Sequence, residues 1–410
     1  MKDSGIEWIG EIPEEWEVRK IKYVIQNSGN GIKVGPFGSS LTNLVVGYED
    51  GKYKIYGQAN LVRRNFDYGD NFVTEKTYKQ LKNYEVLPND ICVSMMGTIG
   101  KCCVVSQNIN KGIMDSHLIK IRLFNNEYPK FFEYCYESDM GFEQLLYNSK
   151  GTIMNGLNSF IIKNIYIPFP LLSEQQQIAS FLDKKCSEID SLTADIQKQI
   201  EILEQYKKSV ITETVTKGLD PNVKMENSGI EWIGEIPENW EVISCKFCFA
   251  ICNGSDPATK YGDTPVYGSG SKSFKTCEEY KDGPTVLLGR KGTVNVPQWI
   301  EGKYWNVDTA FDVKPKGNYN LRLFFYVAIC FDYEKYSTQT ALPSMTQADY
   351  NSFKLPYMSR EEQQQIASYL DSKCSKLDEL MRLKNQQLET LMQYKKSLIY
   401  EYVTGKREVN

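Results

Sequence analysis

The phrase SGIEWIGEIPEEWEV at Ser4–Val18 returns as SGIEWIGEIPENWEV at Ser228–Val242. A second repeat follows each phrase. EQQQIASFLDKKCSEID at Glu174–Asp190 returns as EQQQIASYLDSKCSKLD at Glu362–Asp378, and QYKKS at Gln205–Ser209 returns at Gln393–Ser397. A chain that writes two segments twice in the same order has to build two related bodies, so the repeat limits the architecture before any propensity is consulted. The offset is 224 for the phrase and 188 for the later segment, so the region between them is 36 residues shorter in the second copy. The chain is therefore read as a strap (1–18), a variable domain (19–172), a long helix (173–217), a linker with the repeated strap (218–242), a second variable domain (243–359), and a second long helix with a tail (360–410).

The helices are read from spacing. Ile178, Leu182, Ile189, Leu192, Ile196, Leu203, Tyr206 and Val210 recur at intervals of three, four and their sums, and Ile366, Leu370, Leu377, Leu380, Leu391, Tyr394 and Leu398 do so in the second copy. Ser173 with Gln176 reads as a capping box, and Gly218 and Gly405 as stops. About 44 residues at ~1.5 Å each make a rod of roughly 65 Å, long enough to require a partner rod. The partner is either the other long helix, in an internal coiled coil, or helices of another protein as well; polar Gln199, Lys384 and Gln387 among the seam candidates leave both open. In the strap, Gly10 and Pro13 rule out a helix, and Ile6, Trp8, Ile9, Ile12, Trp16 and Val18 read as anchors packed on the adjoining helix and domain.

The variable domains differ in sequence but share a skeleton. DICVSMMGTIGKCCVV at Asp90–Val105 parallels TVLLGRKGTVNV at Thr285–Val296, and KYKIYGQANLVRR at Lys52–Arg64 parallels TPVYGSGSKSFK at Thr264–Lys275. Each adds an aromatic helical stretch, Pro129–Tyr147 or Tyr319–Tyr336, a polar loop and a short strand. The fold class expected is mixed α/β (α+β): two globular domains and two long helices, built as an internal repeat. Two unlike loop sets on matched frames imply two related but different targets.

The net charge of −4 conceals a pattern. The two straps carry −5 each, whereas residues 19–172 carry +5 and residues 243–359 carry +2. No apolar run approaches the roughly 18 residues of a membrane span, and MKDSGIEWIG lacks the basic and apolar regions of a signal peptide, so a cytoplasmic chain is expected. Eleven cysteines without framework spacing read as reduced, buried thiols.

The cyclic order of strap, domain and helix, with EQQQIA helix starts, GEIPEEWE straps and G-T-I-G turns, resembles the specificity subunit of type I restriction-modification systems over nearly the whole chain. The resemblance implies two target-recognition domains, each reading one half of a split site on double-stranded DNA, separated by two long antiparallel coiled-coil helices in a pseudo-two-fold, cyclic repeat. It also implies two methyltransferase subunits docked on the repeated helices, and translocase-nuclease subunits joining the full complex. Duplicated docking residues suit two identical partners, while diverged domains suit two different half-sites.

Base readout needs Arg or Lys for guanine, Asn or Gln for adenine, and small hydroxyls, on exposed loops. The DNA-contacting candidates are Gln58, Asn60, Arg63, Arg64, Thr98, Lys101, Asn155 and Asn158 in the first domain, and Ser269, Ser271, Lys272, Arg290, Lys291, Thr293, Gln339 and Ser344 in the second. The partner-binding candidates are Ile189, Leu192, Ile196, Leu203, Tyr206, Leu377, Leu380, Leu391 and Tyr394. No catalytic residue, cofactor or metal is assigned. His117 is the one histidine, which excludes His-based triads and two-His metal sites. An Asn/Asp-Pro-Pro-aromatic methyltransferase motif is absent, and the acid-x-Lys triplets Glu279–Lys281 and Asp312–Lys314 arise readily by chance. Cys245, Cys248, Cys252 and Cys277 have irregular spacing and read as apolar cysteines rather than a zinc site. The competing readings are a coiled-coil scaffold that binds no nucleic acid, and a self-contained restriction-modification enzyme.

Overall fold

The computed structural model describes the chain apart from residues 28, 30, 37–40, 42–43, 48, 50, 96–100, 150–156, 339–341 and 410. It divides into two compact units, Met1–Asp195 with Gln387–Asn410, and Ile196–Gln386. Each unit thus takes one strap, one variable domain and one half of each long helix.

In the first unit, one sheet orders Ile32–Val34, Leu118–Ile121, Ile91–Ser94 and Cys102–Val104, all antiparallel. The other orders Phe72–Val73, Tyr53–Tyr56, Gly112–Met114 and Glu85–Val86, with a parallel pair at its centre. The second unit repeats both patterns. Its antiparallel sheet runs Phe249–Asn253, Ala310–Pro315, Thr285–Gly289 and Gln298–Ile300. Its mixed sheet runs Lys275–Cys277, Thr264–Tyr267, Lys303–Asn306 and Lys281–Asp282, again with the parallel pair in the middle. The shared skeleton read from the sequence is therefore one topology built twice from unlike residues.

The EQQQ motif explains how helix, strap and domain are fixed together. Glu174 accepts from the Trp16 indole at 3.3 Å, and Glu362 from Trp240 at 3.0 Å. The next residue is buried in both copies. The Gln175 amide oxygen accepts from Tyr128 N and its nitrogen donates to Pro170 O, while Gln363 does the same with Asn320 N and Met358 O. Every hydrogen-bonding group of these motif side chains that the core covers thus meets a partner, as burial demands. The strap anchors Ile9, Ile12 and Trp16 are buried, and Glu17–Lys20 pairs with Tyr166–Phe169, as Glu241–Ser244 pairs with Lys354–Tyr357.

The long helices are Leu172–Lys217 and Arg360–Val403. Their starts correct the capping box expected at Ser173. The first bond comes from Gln175 N to Leu171 O, so Leu171 is the cap, and Glu174 returns a bond to Leu171 N at 3.2 Å. At the equivalent position Ser359 caps Glu362 N with its hydroxyl. Leucine has no side-chain acceptor, so the first copy keeps only the Glu half of the box.

Within each unit the two helix halves run antiparallel. In the first, Phe181 meets Tyr402 and Asp190 meets Lys395; in the second, Gln199 meets Lys384 and Lys207 meets Asp378. Burial follows a regular 4-3 spacing through Leu182, Cys186, Ile189, Thr193, Ile196, Ile200, Leu203, Lys207 and Val210. The second helix answers with Leu370, Cys374, Leu377, Met381, Lys384, Leu388, Leu391, Lys395 and Leu398. This is a heptad seam. Ile189, Ile196, Leu203, Leu377 and Leu391 lie in it. Leu192, Tyr206, Leu380 and Tyr394 lie outside it, 52%, 46%, 41% and 50% exposed.

Candidate nucleic-acid interface

The same backbone junction closes one end of the antiparallel sheet in both units. In the first, Met95 N donates to His117 O at 2.9 Å, and Leu157 N donates to Met95 O at 3.0 Å. In the second, Arg290 N donates to Thr309 O at 2.8 Å, and Met345 N donates to Arg290 O at 2.9 Å. The strand registers agree, since Ser94 faces Leu118 and Gly289 faces Ala310. The central parallel strands continue into the same junction, where Asp115 N donates to Tyr56 O and Val307 N to Tyr267 O. A glycine follows the tyrosine in each unit. A Cβ on Gly57 would lie 2.6 Å from Asp115 Oδ2, and one on Gly268 would lie 2.8 Å from Thr309 Oγ1, so a side chain at either position would make its neighbour shift. The hydrogen-bonded frame is constant, while Met95 is exchanged for Arg290, Asp115 for Val307 and His117 for Thr309.

The second unit gathers most of its predicted residues there. Ser269 Oγ lies 3.4 Å, and Leu342 Cδ1 3.7 Å, from the Cβ position of Gly292, which adopts φ +89. Gly292 N bonds Pro343 O, Lys291 and Ser344 form an isolated β-bridge, and the Thr338 and Ser344 hydroxyls stand 3.1 Å apart. Arg290 donates one guanidinium hydrogen to Asp308 O at 3.2 Å and is otherwise exposed, as are Lys291 and Thr293. Ser271 and Lys272 are exposed on the loop that follows Gly268, and Phe274, 60% exposed, touches that glycine's Cβ position at 3.6 Å. Gln339 lies outside the described residues.

In the first unit the predicted residues divide. Lys101 is exposed beside the junction, its carbonyl accepting from Ser94 N. Asn158 sits next to Leu157 and caps Ser159–Lys163, accepting from Ile161 N at 3.0 Å. Gln58 is half-buried at the start of Gln58–Arg63, and Arg63 is exposed with its guanidinium 4.3 Å over Tyr68. Asn60 is turned inward. It is 4% exposed, accepts from Gly57 N and donates to Asn65 O and Tyr68 O, so its amide is used up within the fold.

Arg64 is bound to the frame as well. It adopts φ 49, and its guanidinium pairs with Glu133 and, at 2.5 Å, with Glu137. Glu133 is 1% exposed and also accepts from Val104 N and Lys130. Burial raises the Glu137 carboxyl above its ordinary range, opposed by Arg64. A buried acid pair facing one arginine makes that arginine a structural counter-ion first. Thr98 and Asn155 lie outside the described residues. His117, which the sequence reading weighed for triads and metal sites and not for DNA contact, is 53% exposed at the junction.

Of the four cysteines with irregular spacing, Cys245 and Cys248 belong to one core, Cys277 to another, and Cys252 is half-buried on the strand Phe249–Asn253. Burial pushes the Cys245 thiol up to about 12 and that of Cys248 up to about 11. All eleven cysteines are free thiols. No helix among the described residues is long and apolar enough to cross a membrane.

The type I restriction modification DNA specificity domain matches residues 13–202 and again 237–390. The putative type I restriction enzyme MjaX specificity subunit of Methanocaldococcus jannaschii is 25% identical over 98% of this chain and 96% of its own length. The MjaVIII specificity subunit of the same organism is 27% identical over 73% of this chain and 75% of its own. Among solved structures, a chain from work on complex assembly and conformational transition of the type I R-M system is similar with a TM-score of 0.75 at 14% identity. That likeness covers 97% of this chain and all of the other. The HsdS subunit from Thermoanaerobacter tengcongensis is similar with a TM-score of 0.54 at 14% identity, covering 99% and 100%.

Proposed function

The chain belongs to the type I restriction-modification DNA specificity family, and from that membership we propose how it divides its labour. Each variable domain reads one half of a bipartite double-stranded site through the side chains at its sheet-end junction. The observation that carries this reading is the junction itself, where identical backbone hydrogen bonds present different side chains in the two units. In the second unit the readers are Ser269, Arg290, Lys291, Thr293 and Ser344, with Ser271 and Lys272 on the adjoining loop. In the first they are Gln58, Arg63, Lys101 and Asn158, whereas Asn60 and Arg64 hold the frame. Charged groups at such a surface contact phosphate more often than bases, so position and specificity are shared among them.

The repeated helices dock two methyltransferase subunits, which perform the chemistry as separate chains, and translocase-nuclease subunits complete the assembly. The docking face is the exposed set Leu192, Tyr206, Leu380 and Tyr394, since the seam residues are already occupied by the partner helix. Both members of each pair, Leu192 with Leu380 and Tyr206 with Tyr394, fall at one repeat position, as two identical partners require.

Exchange of residues 243–359 for those of a relative, followed by mapping of methylated sites, tests the division of labour. One half of the recognised sequence changes and the other stays. A change in both halves, or in neither, overturns the reading.

A further inference from the structure

We infer that His117 is a base-reading residue of the first unit, with its imidazole positioned by Asp115. The inference rests on the recognition role proposed above and adds to it a residue and a positioning partner. The backbone equivalence puts His117 where Thr309 stands in the second unit, at the junction whose other members are Met95 and Leu157. Its side chain is 53% exposed, against 24% for Asp115, so the ring is the group presented to solvent. Asp115 holds it from behind. One carboxylate oxygen accepts from His117 N at 2.8 Å, and the other lies 3.3 Å from Nδ1.

Asp115 is itself bonded through its N–H to Tyr56 O and closely approached on both sides. Its carboxylate lies over Gly57, as described, and its carbonyl oxygen is 1.8 Å from where a Cβ on Gly35 would stand, so neither neighbour can carry a side chain without moving the aspartate. A side chain fixed by such a support loses little freedom on binding, which is how a site on a rigid element gains precision. In the tautomer that donates Nδ1–H to Asp115, Nε2 is left as an acceptor, the chemistry that reads the exocyclic amino group of adenine or cytosine in the major groove.

The single histidine makes the test direct. The full chain, labelled with 13C,15N-histidine and reconstituted with its unlabelled methyltransferase subunits, is titrated with its cognate duplex and with an unrelated duplex of equal length. The cognate duplex is expected to shift the one imidazole resonance set, with the 15N pattern of the Nδ1–H tautomer, and the unrelated duplex to leave it near its free position. His117→Ala is expected to lose discrimination at one base pair of the first half-site by roughly 10–100-fold, with binding to unrelated DNA and the second half-site unchanged. Asp115→Asn should retain the fold, judged by its melting curve, while altering the imidazole 15N pattern and weakening discrimination at the same base pair. A His117→Ala protein that stays folded and discriminates as the parent does at every position overturns the inference. So does an imidazole signal indifferent to cognate DNA. If the parent complex itself shows no sequence preference, the recognition role fails instead, so the two failures are distinguishable.

Discussion

Arg63 and Arg64 are neighbours with the same chemistry and opposite commitments. Arg64→Ala would leave the buried Glu133 with Lys130 as its remaining counter-charge, at a cost of about 1–2 kcal/mol, discounted because the arginine itself is 45% exposed. Urea unfolding is expected to show that loss. Arg63→Ala should leave the midpoint within about 0.5 kcal/mol and instead flatten the salt dependence of DNA binding by about one unit of slope. The sequence placed both arginines, and Asn60, among the readers because residue type alone carries no information about direction. What ties Arg64 and Asn60 to the fold are partners distant in the chain or around a tight turn, Glu133 and Glu137 for one and the Gly57–Tyr68 backbone for the other. The thiols can be separated by the same reasoning. Since only the thiolate reacts, burial that pushes Cys103, Cys248 and Cys330 up to about 11 leaves them largely protonated at pH 8. The half-exposed Cys252 is therefore expected to react with Ellman's reagent well before the buried thiols of the native chain.

Among elements, the long helices were the most legible, because a repeat written twice with one offset leaves little freedom in where they begin and end. Their faces were less so. Leu192 and Leu380 match the apolar period as well as Ile189 and Leu377 do, and only the strict 4-3 spacing of burial shows which pair the partner helix covers. Truncating the covered pair, Ile189→Ala or Leu377→Ala, should cost about 2–4 kcal/mol each in thermal or urea melts. Leu192→Ala with Tyr206→Ala, or Leu380→Ala with Tyr394→Ala, should leave stability within about 1 kcal/mol. Mass photometry of the reconstituted complex would then show methyltransferase subunits lost from assemblies that remain folded. A complex of unchanged stoichiometry would remove these residues from the docking face. The sheets were legible as β-runs with glycine turns, but their order was not. The parallel pair at the centre of each mixed sheet joins strands far apart in sequence, which local patterning does not record.

For the molecule as a whole, the double repeat identified the architecture and, with it, the class of partner. Net charge alone argued the other way, and only its division into acidic straps and positive domains reconciled it with DNA. The loop tips resisted reading most. Thr98, Asn155 and Gln339 fall outside the described residues, and the junction near which most of the other candidates of the second unit gather is a backbone feature shared by two domains of unlike sequence. Nuclease protection of the reconstituted complex is expected to cover two recognition tracts on one duplex. Substitution of Arg290 should relax one position in a single tract, and a uniform loss across both would mark it as a phosphate contact instead.

The C-terminal third of the second long helix has a consequence for how the chain is made. Leu398, Ile399, Tyr402 and Val403 lie in the core of the first unit, and Gly405, at φ +70, abuts Pro13 and Trp16. The second unit is a continuous segment, Ile196–Gln386, whereas the first needs residues on both sides of it. On the ribosome, the body that begins to emerge first is therefore finished last. Until those late residues arrive, the core that holds Ile9, Ile12 and Trp16 is incomplete, so premature termination near residue 390 should spare the later-born body and leave the earlier one open to proteases.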